Sequence, residues 1–268
     1  MLRLLLGIIV LFSMAPVAGA AGFDHQDWND LLVKYVVSIN DGKATEVDYQ
    51  GLANERQKLQ AYLNSVAEVD QKSFQTWTQN DQLAFLINAY NGWTVELILS
   101  KYPDLKSIKD LGSFLKSPWK KKFIPLLGII RSLDDIEHGL IRAPESYDEP
   151  RIHFAVNCAS IGCPALRPEA YRGDILESQL QSAEMLFLGD KSRNRLVNNV
   201  FEISSIFKWY GDDFRKGNRG IESLEQYLLS HSGLFGLSEE QKTSMQNGKM
   251  KIRYLKYDWK LNSLRSVN

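Results

Sequence analysis

Apolar positions recur with a helical period through the first half of the chain and in shorter, alternating runs through the second. Trp28, Leu31, Leu32, Tyr35, Val36 and Ile39 fall at helical spacing, and Asn40-Asp41-Gly42 is a turn signal that stops them. Residues 46–50 read as a short extended piece, followed by an amphipathic helix carrying Leu52, Leu59, Tyr62, Leu63 and Val66. Ser73 stands as the cap of a short helical turn with Phe74 and Trp77. The strongest helix covers 81–102. It is apolar on most of its circumference, which predicts a place in the middle of the core, and Tyr102-Pro103 ends it. Asn88 and Asn91 lie three apart inside it and share a face. A buried amide must find partners, so the pair either caps a neighbouring loop within the core or orients a catalytic group or a substrate carbonyl.

The second half is more broken. Residues 107–122 are irregular, with Lys120-Lys121-Lys122 as a solvated edge, and 123–130 is strand-like, its Pro125 and Gly128 confining it to an edge or hairpin. Ser132 followed by Asp134 and Asp135 has the form of an N-cap with first-turn acids. In 151–158, Ile152, Phe154 and Val156 alternate with Arg151, His153 and Asn157, which predicts a strand with one buried face and puts Cys158 on the buried parity. Gly162 and Pro164 then require a tight loop. A helix over 174–188, a hairpin at Asn198-Asn199, an aromatic stretch with Trp209 and Tyr210, helices over 223–229 and 238–245 and a last strand over 251–257 complete the pattern. No repeat or linker divides it. The prediction is an α+β fold: a single domain over 21–268, its helical first half packed on a small mixed or antiparallel sheet in the second.

The first 20 residues stand apart. An apolar run from Leu4 to Met14 follows Arg3, and Ala18-Gly19-Ala20 offers the small residues a signal peptidase reads. A signal peptide over 1–20 is expected, with a periplasmic or secreted product beginning at Ala21. The run is shorter than the roughly 20 residues that span a bilayer, and no second run appears, so no transmembrane span is expected after cleavage. The chain carries 32 basic and 32 acidic side chains, and the leader removes only Arg3 from that balance. Neither a nucleic-acid footprint nor an acidic tail fits such neutrality. A cell-envelope component without a named partner is the expectation. With 44% hydrophobic residues in 268, the chain is long enough to bury a substantial core.

Candidate chemistry gathers in 151–164, which holds both cysteines and one of the four histidines. Three readings are open. Cys158 and Cys163 form a disulfide, the form two cysteines take in an oxidising compartment, and the stretch is then a clipped corner of a non-catalytic binding or scaffold protein. In the second reading Cys158 is a nucleophile with a histidine base, giving a hydrolase or acyltransferase for an amide or thioester. His138 is the better base, because Asp134 and Asp135 lie four and three residues before it, whereas strand parity turns His153 away from Cys158. Cys158, His138 and Asp135 are then the catalytic set, and backbone amides of 159–162 are the oxyanion donors. Asn88, Asn91, His153, Asn157, Ser160, Trp209 and Tyr210 are the candidate substrate contacts. The third reading, zinc on both cysteines with His138 and His153, lacks a familiar ligand spacing, and no metal or cofactor is expected.

The blocks Leu83-Ala-Phe-Leu-Ile-Asn-Ala-Tyr-Asn91, Ser132-Leu-Asp-Asp-Ile-Glu-His138, Arg151-Ile-His-Phe-Ala-Val-Asn-Cys-Ala-Ser160, Cys163-Pro164 and Ser204-Ser-Ile-Phe-Lys-Trp-Tyr-Gly211 resemble, in order, those of the domain-of-unknown-function family numbered 547. The resemblance covers about 74–229, with Val47-Asp48-Tyr49 similar to the family's usual N-terminal extension and Leu86 standing where an aromatic is common. It implies an exported bacterial member of a family without an established activity, and no mechanism. The export expectation is checked by mass spectrometry of the protein recovered from cells. A mature N-terminus at Ala21 is expected, and a cytoplasmic chain retaining Met1 would remove it.

Overall fold

The computed structural model describes residues 22–113, 116–143 and 147–264, so the expected leader over 1–20 lies outside the described residues. Helix α1 (Gln26–Tyr35) buries Trp28, Leu31, Leu32 and Tyr35. It ends before Val36 and Ile39, which the sequence pattern places on the same helix. The β-branched run instead forms β1 (Val36–Ile39), antiparallel to β2 (Ala44–Val47), across a turn with Asn40 and Asp41 both at φ 53°. Next come α2 (Tyr49–Asn54), capped by Asp48, and α3 (Arg56–Glu68). In α4 (Gln71–Gln75) the cap is Asp70 rather than Ser73.

Thr78 caps α5 (Gln79–Leu99), the helix around which the first core is built. Phe85 and Ile98 are fully buried and Trp93 is 9% exposed, as a helix apolar on most of its circumference requires. Helix α3 packs along it. The hairpin of β3 (Ile124–Leu126) and β4 (Ile129–Arg131) turns at Leu127-Gly128, and α6 (Leu133–Ile136) opens with a capping box between Ser132 and Asp135. The chain then widens into a π-helical turn, Glu137–Ile141.

Residues 151–158 do not form a strand. Pro150–Phe154 is a 3₁₀ turn, with Pro150 at its start and Glu149 accepting from the Arg151 amide. The alternation misleads because both sets of side chains are buried: Arg151, Ile152, His153 and Phe154 all lie inside. Arg151 is neutralised there by Glu149 and Glu177, and His153 is held by Asp213. Ile152 enters the core around α5, whereas Phe154 belongs to a second cluster with Phe187, Phe207 and Phe214. One short turn therefore ties the two clusters together.

The remaining elements are α7 (Leu176–Gly189), β5 (Arg195–Val197), β6 (Val200–Ile203), α8 (Ile206–Trp209), α9 (Leu224–Ser230), α10 (Ser232–Phe235), α11 (Glu239–Gln246) and β7 (Lys251–Tyr254). A 3₁₀ turn, Gly211–Phe214, follows α8. Asn198 and Asn199 make the β5–β6 turn with φ of 48° and 60°, and β7 lies parallel to β6 to complete a three-stranded mixed sheet. The fold is α+β. Among the described residues no helix is long and apolar enough to cross a membrane. Phe85→Ala is expected to lower stability in urea unfolding by about 3–5 kcal/mol, while Val33→Ala, at a side chain 63% exposed, changes it by less than about 0.5 kcal/mol. Comparable effects from the two would remove α5 as the centre of the core.

Candidate functional site

Two asparagines of α5 set the course of the site loop. Asn91 donates from Nδ2 to the Ala155 carbonyl at 3.0 Å and accepts from the Asn157 amide at 2.8 Å. One turn earlier Asn88 treats Tyr171 the same way, donating to its carbonyl at 2.7 Å and accepting from its amide at 3.0 Å. Both side chains are taken up by backbone. They cap loops within the core, the first of the two roles the sequence leaves open. Asn157 is also structural: it accepts from the Ala159 amide at 2.8 Å and donates to the Pro164 carbonyl at 2.7 Å, closing the loop on itself.

The C-terminal segment covers that loop. The amides of Ile161 and Gly162 donate to the carbonyls of Lys260 and Asp258, both at 2.9 Å. With Ala159 bonded to Asn157, three of the amides expected to act as oxyanion donors are already committed. Gly162 is needed for close approach rather than for its dihedral, since a Cβ there would meet the Tyr257 ring at 2.9 Å. Cys158 and Cys163 are joined in a disulfide with Cα atoms 6.1 Å apart. In this state Cys158 carries no thiolate to act as a nucleophile. The Cys158 sulfur lies 3.1 Å from Tyr257 Oη and 3.3 Å from Ser160 Oγ.

Beside the disulfide is a cleft of about 230 Å³. Trp119, Trp209 and Trp259 form its aromatic wall. Trp209 and Trp259 stack with centroids 5.6 Å apart, and Trp119 meets Trp259 edge-on at 5.7 Å. Glu137 and His153 also line it, brought by the π-helical turn and the 3₁₀ turn. Glu137 is 4% exposed, and its Oε1 has no hydrogen-bond partner. Burial, reinforced by the Glu137 charge, pushes the Tyr90 and Tyr210 hydroxyls well above the usual phenol range. Burial also raises Tyr257, to about 12.

His153 is oriented from behind. Its Nε2 lies 2.7 Å from Asp213 Oδ2, and Tyr210 stacks on its ring with centroids 4.0 Å apart. Burial lowers the pKa of His153 further than the Asp213 hydrogen bond raises it, so the ring is neutral with its proton on Nε2. Nδ1 then carries the lone pair, and it is buried without a partner. Burial opposes ionisation of Asp213, but hydrogen bonds from His153 and Arg142 outweigh it and hold the carboxyl well below the usual range.

The residues expected at the site divide accordingly. Cys158, His138, His153, Trp209 and Tyr210 line the cleft, and Ser160 sits beside its disulfide. Asp135 does not serve His138. It accepts from the Ser132 amide at 2.8 Å as the capping carboxylate, and the acid near the imidazole is Asp134, four residues before it, at 3.6 Å. His138 also accepts from Arg142 Nη1, which leaves it less free than His153. Strand parity turns His153 away from Cys158, but a 3₁₀ turn does not alternate, and both residues reach the same cleft.

Glu137, Asp213, Tyr257 and Trp259 are site residues that periodicity alone does not mark. Glu137 is adjacent to His138 in sequence, but a π turn decides which of the two is buried. Asp213 lies three residues after Tyr210 in the aromatic stretch. A larger depression, about 650 Å³, is lined by Arg142, Glu149, Asp213 and Arg219, but its ions pair with one another. Unpartnered buried groups favour the smaller cleft. Among the described residues no group of three or more His, Cys, Asp or Glu side chains is placed to hold a metal ion.

No curated protein and no solved structure matches the chain. The family comparison ends short of the 204–211 block but takes in α5, the Ser132 cap, both cysteines and most of α7. Residues 74–188 match the family described as a protein of unknown function, DUF547, and over that span the chain resembles it.

Proposed function

We propose that the cleft is a binding site for a small organic molecule in an exported protein, with the Cys158–Cys163 disulfide forming part of its wall. One observation carries this reading: Glu137 Oε1 and His153 Nδ1 are buried without partners in residues that line the same cleft. Each such atom costs about 1–3 kcal/mol when left unsatisfied, and a ligand that donates a hydrogen bond to the two atoms, or sets positive charge against them, offsets the penalty. The three indoles supply the apolar contact area that orients a bound molecule. Export agrees with the disulfide, since such bonds persist in oxidising compartments. A single domain over 21–268 agrees with the 3₁₀ turn that gives Ile152 to one core and Phe154 to the other.

A second reading is a cysteine-dependent hydrolase or acyltransferase for an amide or thioester, active after reduction. It is favoured by the pairing of Asp213 with His153 on the cleft that Cys158 lines. In that form the Cys158 thiol proton passes to His153 Nδ1, the sulfur bonds to the acyl carbon, and the leaving amine or thiol takes the proton back. Here His153 replaces His138 as base.

One experiment separates the two. Amines, sugars and carboxylic acids are titrated into the disulfide-bonded protein while tryptophan fluorescence and Tm are read. Saturable binding by at least one class is expected, with Tm rising about 2–4 °C for each kcal/mol of stabilisation. Silence from every class would remove the binding site. The same protein is then reduced and offered amide and thioester substrates. Turnover that disappears in Cys158→Ser makes the protein an enzyme, and no turnover ends the second reading.

A further inference from the structure

We infer that the molecule bound in the cleft is a small organic cation, its alkylammonium or quaternary ammonium group set between the Glu137 carboxylate and the indole wall. This rests on the cleft being a ligand site. Charge is the first argument. Asp134 and Glu137 line the cleft and, among the described residues, no lysine or arginine does. Asp134 has His138 beside it, 3.6 Å away, but among the described residues no ion pair includes Glu137. Arg142 is within electrostatic reach of Glu137, yet its hydrogen bonds go to Asp213 and His138. A buried carboxylate with an unpartnered oxygen attracts a cation and repels an anion.

The rings give the second argument. The face of an indole carries negative quadrupolar charge and is the best aromatic partner for an ammonium group. Trp259 already holds one: Lys109 Nζ lies 3.7 Å from its ring centroid. Trp119 and Trp209 flank Trp259, and Trp209 remains 47% exposed at the mouth. Size is the third. About 230 Å³ is less than the roughly 300 Å³ at which pockets for larger organic ligands begin, so the occupant is compact. A neutral sugar would use the indoles and bring no positive charge to the unpartnered Glu137 oxygen.

The test uses the full mature chain with its disulfide intact. Choline and tetramethylammonium are titrated by calorimetry and tryptophan fluorescence beside the neutral analogue of choline in which carbon replaces nitrogen, a methyl glucoside and acetate. Both ammonium ions are expected to saturate the protein, with the neutral analogue at least tenfold weaker than choline. Glu137→Gln should bring choline down to the affinity of that analogue. Trp209→Ala, a change at an exposed ring verified by circular dichroism, should weaken choline at least fivefold and keeps the test available should Glu137→Gln fail to fold. Equal affinity for choline and its neutral analogue overturns the cation inference, as does unchanged choline binding in Trp209→Ala. Binding of the glucoside or acetate without the ammonium ions also overturns it, while leaving a ligand site in place. Silence from every probe overturns the site itself.

Discussion

The irregular half of this protein depends on side-chain amides that replace a sheet. Residues 150–171 run largely through the interior with few strand partners, yet buried backbone N–H and C=O groups must be bonded. Asn88 and Asn91, one helical turn apart on α5, each present a donor and an acceptor to a passing peptide, and so fix Tyr171 and the Ala155–Asn157 step against the central helix. Loss of Asn91 would strand two backbone groups at once, each worth about 1–3 kcal/mol. A leucine of similar size fills the space but satisfies neither.

From that anchor the order of construction follows. With Ala155 and Asn157 held, Asn157 folds 157–164 back on itself, and the last segment crosses from the far end of the chain to bond Ile161 and Gly162. Asn262 then joins the Ala159 carbonyl to the Tyr49 hydroxyl, linking the site loop to the N-terminal helices. The cleft is made of contacts distant in sequence: an α6 acid and a π-turn acid, a 3₁₀-turn histidine, and aromatics from α8 and the tail. Its shape therefore requires the chain beyond residue 188 as well as the stretch that resembles the family.

What the sequence makes legible is what local chemistry decides. The near-uniform apolarity of α5, the cap at Ser132, the Asn198-Asn199 turn and the spacing of the two cysteines each report a short-range constraint. The alternation of 151–157 does not, because period-2 patterning marks a strand only when one face is wet. Here Arg151 and His153 are buried by partners that sequence spacing does not reveal, Glu177 and Asp213. The same blindness hides the better-oriented histidine. His138, with acids at helical spacing, has the stronger local signal, whereas His153 gains its orientation from a carboxylate 60 positions away. Asp134 and Asp135 are divided by capping, which takes the second for the Ser132 amide and leaves the first for the imidazole.

The disulfide contributes more through position than through stability. Closing so short a loop removes little entropy from the unfolded chain, worth about 2 kcal/mol on the loop-closure account. The loop is already held by Asn157, by the tail and by the Tyr257 ring lying over Gly162. These restraints do not include the sulfur–sulfur bond, and they set Cys158 beside Tyr257 and Ser160 on the cleft that His153 lines. The binding and thiol readings thus share one architecture, and the oxidation state of a single pair of sulfurs separates them.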